Sequence, residues 1–140
     1  ADDVTADATS AFDRAAALQT FFRSRGGFEY TLETEPGTSS SDLVNFLQNR
    51  QGYCEQYAAA MAVMARAEGI PARVAVGFTP GTPQDDDSRV VGTHDSHAWP
   101  ELYFQGTGWV RFEPTPATRT GSAPTWTVVR AGWLVGKYSA

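Results

Sequence analysis

Cys54 is the only cysteine in this chain of 140 residues, and His94 and His97 are its only histidines. A thiol becomes an efficient nucleophile when a base lies within hydrogen-bond reach and a third group fixes the tautomer of that base. The thiol stands in Gly52-Tyr53-Cys54-Glu55-Gln56-Tyr57, directly after a glycine turn. It also opens a run to Glu68 rich in the helix formers Ala, Met, Glu and Arg. Gly69, with Pro71 just beyond, is a helix stop signal. A cysteine in the first helical turn meets unpaired backbone N–H groups and the positive end of the helix dipole. That setting favours thiolate and can bring a cysteine pKa from about 8.5 into the range of roughly 3.5–7.5. The competing reading of a lone cysteine is a small buried hydrophobe. Its place at the helix N-terminus, rather than in mid-helix, favours chemistry.

His97 begins the strand-like stretch Ser96 to Phe104 and is followed by Ala98-Trp99, so its ring projects from a rigid apolar element. His94 lies in the polar segment Thr93-His94-Asp95 and is expected to be exposed. The base is therefore assigned to His97. Glu113 ends the stretch Trp109-Val110-Arg111-Phe112-Glu113 and is the candidate orienting carboxylate, against the plainer reading of a surface acid at a strand end. The two stretches flank Gln105-Gly106-Thr107-Gly108, a hairpin signal. Because side chains alternate faces along a strand, a two-residue turn would put His97 and Glu113 on opposite faces. A three-residue loop with Phe104 opposite Gly108, or a bulge near Pro100, puts them on one face. The triad thus predicts an odd loop or a bulge.

The elements that must position these groups follow in order. Ser10 caps a helix, with Asp13 in a capping-box position and Phe12, Ala15, Leu18 and Phe22 at helical spacing, ending near Gly26-Gly27. Phe28 to Leu32 alternates like a short strand, and Ser41 or Asp42 can cap a second helix running to Gln48. The Cys54 helix is apolar on nearly every face, which predicts a buried central helix. Ala72 to Phe78 and the brief Arg89 to Val91 read as strands, and the acidic tip Asp85-Asp86-Asp87 reads as a solvated loop more readily than as a calcium site. Helices followed by antiparallel strands give an α+β class. The expected organisation is a linker over 1–9, one domain over 10–116 and a C-terminal extension over 117–140 that packs on the domain or leads away from it.

Composition narrows the function. A 41% hydrophobic content supports a real core, while a net charge of −5 with no basic cluster argues against nucleic acid as partner. One cysteine excludes an intrachain disulfide and a cysteine-based zinc site. No stretch of eighteen apolar residues reads as a membrane span. The start at Ala1-Asp2-Asp3 is expected to be that of a domain cut from a longer chain or of a processed product.

Gly52-Tyr53-Cys54-Glu55-Gln56-Tyr57-Ala58, Arg66 to Val74, His97 to Tyr103 and Gly108 to Thr115, in this order and spacing, resemble the transglutaminase-like (transglutaminase core) superfamily. More narrowly they are similar to the extracytoplasmic domain of bacterial TgpA-type membrane proteins. The resemblance covers about residues 10–116. It implies a papain-like fold with the nucleophile at the N-terminus of a buried helix packed on an antiparallel sheet. Cys54 takes the nucleophile's position, His97 the base's, and Glu113 the place where the family most often has Asp. Trp99 falls in a wall beside the histidine, or is a core aromatic.

The resemblance further implies acyl transfer on protein or peptide carboxamides through a thioester, by a monomeric domain on the extracytoplasmic side of a bacterial membrane, in a parent protein anchored by segments outside this chain. No cofactor or metal is implied, and no calcium cage is recognisable. The Cys54 N–H supplies one oxyanion donor, and Gln48, Gln51 and Tyr30 are candidates for the second. Water in place of an amine would make the enzyme a cysteine protease or amidase. A catalytically silent binding module of an envelope protein is the reading from another class.

Overall fold

In the computed structural model, which describes residues 1–116, helices come first and the main sheet last. A one-turn helix α1 (Asp2–Thr5) precedes α2 (Ala11–Thr20), which continues as a π-helical turn over Phe21–Arg25. The segment expected as linker is thus partly helical and tied down: Thr5 is buried and its hydroxyl donates to Glu68. Ser10 caps α2 and Asp13 reciprocates, as the capping-box spacing requires.

Where a strand was expected over 28–32, only β1 (Glu29–Tyr30) forms. It pairs in parallel with β2 (Gln51–Gly52), a segment expected as turn. Between them lies α3 (Ser40–Asn49). Its cap is Ser39, two residues ahead of the expected Ser41 and three ahead of Asp42, because Asp42 serves as the reciprocating third residue of the box. Then comes α4 (Cys54–Ala67), with Cys54 as its first residue. Ile70 N–H reaches back to the Ala65 carbonyl, and Gly69 takes the positive φ of 76° that closes such a helix end. The helix is not apolar-buried all round as expected, since Val63 is 50% exposed.

The chain then runs through β3 (Ala72–Phe78), a small hairpin of β4 (Thr82–Pro83) and β5 (Arg89–Val90), and a 3₁₀ turn (Thr93–Asp95). Strands β6 (Ser96–Phe104) and β7 (Gly108–Arg111) follow. The three-stranded antiparallel sheet has the order β3-β6-β7. Ala72, Leu102 and Val110 stand in register on the face packed against α4, and all three are in the core with Met61 and Ala65. Phe22, Phe28, Phe46 and Tyr57 bring the helical layer together, with Phe46 and Tyr57 edge to face at 4.9 Å. On β3, the sheet's edge, Val76 stays 72% exposed. The expectations for 117–140 lie outside the described residues.

The hairpin has the odd loop. Phe104 pairs with Gly108 across the three residues 105–107, and Gly106 and Gly108 take positive φ values of 83° and 90°. Pro100, fully buried in the central strand, then ends the ladder: Phe112 N–H donates to the Pro100 carbonyl, but Pro100 has no N–H to return. Strand β7 stops at Arg111 for that reason, two residues before the acid the site needs.

Candidate active site

Register puts His97 and Glu113 on one face, and the structure brings them into contact. His97 Nε2 and Glu113 Oε2 lie 2.7 Å apart, with both residues 2% exposed. The other ring nitrogen, Nδ1, is left to meet Cys54, whose sulfur is hydrogen-bonded to the His97 side chain and to the Ala98 backbone N–H. That N–H points to the β7 side of β6, the same side as the Pro100 carbonyl, where β7 has already turned away. The N-terminus of α4 therefore enters at the gap that Pro100 opens in the sheet. Cys54 itself is half-buried.

A second set of residues fixes the carboxylate, and none of its members was legible as part of the site. Glu113 N–H donates to Gln19 Oε1 at 2.9 Å. Arg23 Nη1 donates to the carbonyls of Glu113 (3.1 Å) and Thr115 (2.8 Å). Thr115 N–H donates to Glu113 Oε1 at 3.2 Å, and Arg111 Nη2 lies 3.4 Å from Oε2. Gln19 and Arg23 sit four apart along the α2 region, so one helical face clamps the backbone that peels off β7. Their spacing marks a polar stripe on an amphipathic helix, but nothing in the sequence says which strand it meets. The longer Glu113 side chain, in the place where Asp was expected, reaches the imidazole at full hydrogen-bond closeness.

The electrostatics follow from this packing. Burial pushes the Cys54 thiol up, but the hydrogen bonds from His97 and the Ala98 N–H, with the His97 charge, bring it below the ordinary thiol value. Burial likewise opposes charging of His97, yet hydrogen bonds to Cys54 and Glu113 and their negative charge raise it to about 9. For Glu113, burial raises and the His97 contact, Thr115 N–H and Arg111 lower, and the net direction is down. The lowered thiol and the raised imidazole both favour the thiolate–imidazolium form of the pair. The first-turn N–H groups of α4 add to the same polarity.

Trp99 lies beside His97 with ring centroids 6.2 Å apart and carries the Arg111 guanidinium 4.1 Å over its ring. Its buried Nε1 has no hydrogen-bond partner among the described residues. Gly77, paired with His97 across the sheet, makes room for it: a Cβ there would come 2.9 Å from the Trp99 ring. Tyr30 is half-buried and paired with Gly52, two residues before the nucleophile. Gln51 is exposed and lines a cleft beside the nucleophile turn, whereas Gln48 is exposed on α3 and outside that lining. His94 is exposed in the 3₁₀ turn, 3.5 Å from the Asp95 carboxylate.

The turn before Cys54 has its own fastening. Gln56, 4% exposed, accepts from Tyr53 N–H (3.4 Å) and the Thr34 hydroxyl (3.3 Å) and donates to the Glu35 carbonyl (3.2 Å). The Tyr53 side chain is hydrogen-bonded to the Gly37 backbone. Loop 31–38 and the nucleophile turn are thus held together from both sides.

A family model described as the transglutaminase-like superfamily matches residues 1–114. The chain is 40% identical over 103 residues to a protein-glutamine gamma-glutamyltransferase of Pseudomonas aeruginosa, covering 72% of this chain and 15% of that one. It is 34% identical over 122 residues to the uncharacterized protein YebA of Bacillus subtilis, covering 80% of this chain and 16% of that one. The crystal structure of the periplasmic domain of TgpA from Pseudomonas aeruginosa superposes with a TM-score of 0.69 at 35% identity, covering 81% of this chain and 39% of that one. The chain therefore spans less than a fifth of the length of these curated relatives.

Proposed function

The chain belongs to the transglutaminase-like superfamily, and from that premise and the geometry of the site we propose that it is a thiol acyltransferase acting on carboxamides of proteins or peptides. The observation that carries the reading is the line of contacts from the half-buried Cys54 through His97 to Glu113, with the acid 2.7 Å from the imidazole. Cys54 thiolate attacks the carboxamide carbon, and the Cys54 N–H, free of an intrahelical partner at the first helical position, faces the developing oxyanion. The imidazolium of His97 gives its proton to the departing nitrogen as the tetrahedral intermediate collapses to a thioester. An amine, deprotonated by the now neutral His97, then attacks the thioester and releases Cys54. Glu113 stays ionised throughout and stabilises each imidazolium stage.

Trp99 walls the histidine side, and Tyr30, whose backbone pairs with Gly52, is a candidate second oxyanion donor. Water in place of the amine would yield a hydrolase from the same thioester. The likeness to a periplasmic domain supports an extracytoplasmic setting for this domain within a longer membrane protein; among the described residues no helix is long and apolar enough to cross a membrane.

The test is the rate of Cys54 alkylation by iodoacetamide across pH, in the wild type and His97→Ala, followed by amide donors with and without an amine acceptor. A thiol midpoint below the ordinary value that rises in the variant, with isopeptide product only when amine is present, is the expected result. An ordinary midpoint unaffected by the substitution would leave a silent binding module as the better reading.

A further inference from the structure

Beside the nucleophile turn, between loop 31–38 and α3, lies a cleft of about 230 Å³ that the chemistry above does not use. Around it stand polar side chains, among them the carboxylates of Glu35 and Asp42 and the carboxamides of Asn45, Asn49 and Gln56, over a surface that is more apolar than polar and includes the ring of Phe46, which is 2% exposed. No Lys or Arg lines it. The neighbouring Arg50 is turned away, donating to the Gly26 carbonyl and lying over the Phe28 ring. Asp42, Asn45 and Asn49 recur at helical spacing and so present one face of α3 to the cleft. Small-molecule sites typically enclose about 300–1,000 Å³. This smaller space suits a single long side chain.

The cleft and the nucleophile turn are one piece of structure. Gln56 lines the cleft and also receives the Tyr53 N–H. Gly52 packs so closely on the same floor that a Cβ there would sit 2.4 Å from Gln56 Oε1 and 2.8 Å from the Phe46 ring. Anything bound in the cleft is therefore bound at a fixed position relative to Cys54. An alkyl stem can lie along Phe46 while a cationic head meets carboxylates and amide oxygens, which accept in every direction and repel an anion.

We infer that this cleft is a specificity subsite that takes a basic side chain, lysine or arginine, of the polypeptide substrate, at a position away from the reacting carboxamide. The inference rests on the acyl-transfer reading only for its link to turnover; binding itself does not. The 140-residue chain carrying Cys54→Ala is titrated with a blocked Ala-Lys-Ala tripeptide and with its norleucine counterpart, following the side-chain amide resonances of Asn45, Asn49 and Gln56 by NMR. The lysine peptide is expected to shift these three saturably and to bind at least about tenfold more tightly than the norleucine peptide. Its affinity should fall severalfold in Glu35→Gln, and Asn49→Lys should remove it while the amide spectrum stays that of a folded chain. Equal binding of the two peptides, shifts confined to other residues, or an unchanged response in both cleft variants would overturn the assignment. Because Cys54→Ala does no chemistry, lysine-selective binding without turnover in the wild type would sink the acyl-transfer reading and leave the subsite standing. Turnover without lysine-selective binding would do the reverse.

Discussion

Glu113→Gln keeps the shape of the carboxylate and removes its charge. In the folded chain His97 is raised to about 9 from an ordinary 6.5. At 1.36 kcal/mol per pH unit that difference is about 3 kcal/mol of preference for the imidazolium, shared between Cys54 and Glu113 and net of the burial that opposes it. Loss of one of two negative partners, each within hydrogen-bond reach, should lower the His97 midpoint by about one to two pH units. With only two histidines, ¹⁵N-imidazole NMR resolves both.

A His97 midpoint near 9 in the wild type, falling toward 7 to 8 in Glu113→Gln, is expected, with the Cys54 thiol midpoint moving upward. Turnover should fall by about 10²–10⁴-fold, as when a triad loses its orienting acid. The stability consequence has a definite window. A raised His97 value contributes fully below pH 6.5 and fades as pH passes about 9, while the lowered Glu113 value contributes fully above 4.5 and fades in acid. The variant should therefore lose most relative to wild type between pH 4.5 and 6.5, read as the difference in denaturation midpoints. A wild-type His97 that titrates near 6.5, or one that Glu113→Gln does not move, would refute the reasoning.

Three further outcomes follow from the packing. Gln19→Ala leaves the buried Glu113 N–H without its acceptor; urea unfolding should show a loss of about 1–3 kcal/mol, and steady-state kinetics a fall in kcat with KM nearly steady. Gly52→Ala drives a methyl against Gln56 and Phe46, so urea unfolding should show a cost of about 1–3 kcal/mol and iodoacetamide kinetics a slower Cys54 below pH 7. Leu102→Ala, at a fully buried position on the α4 face of β6, should cost about 2–5 kcal/mol by urea unfolding without altering the His97 midpoint at temperatures where the chain stays folded.

Much of the architecture is local in origin and was readable as such. The Ser10–Asp13 capping box, the α4 stop at Gly69 and the strand at 72–78 each depend on a few adjacent residues, and each formed where its signals lie. Misplacements came where a longer-range partner decided. Ser39 rather than Ser41 caps α3, since Asp42 had to be the reciprocating partner. Gln51-Gly52 became a strand since Glu29-Tyr30 runs beside it, and residues 2–5 became a helix that closes on Glu68.

The sequence by itself determined the chemistry on offer: one thiol at a helix start, one histidine on a strand, an acid sixteen residues later, and a hairpin in which an odd loop or a bulge is needed to put those last two on one face. It determined these because residue type, helix punctuation and strand parity are properties of neighbouring positions. Only the tertiary structure decided that the three touch, that Pro100 ends a ladder to let the Cys54 helix in, and that Gln19 and Arg23 of the first helices hold the acid in place. Those contacts join segments up to 94 residues apart, and no local propensity encodes which buried backbone groups will be left for a distant side chain to satisfy.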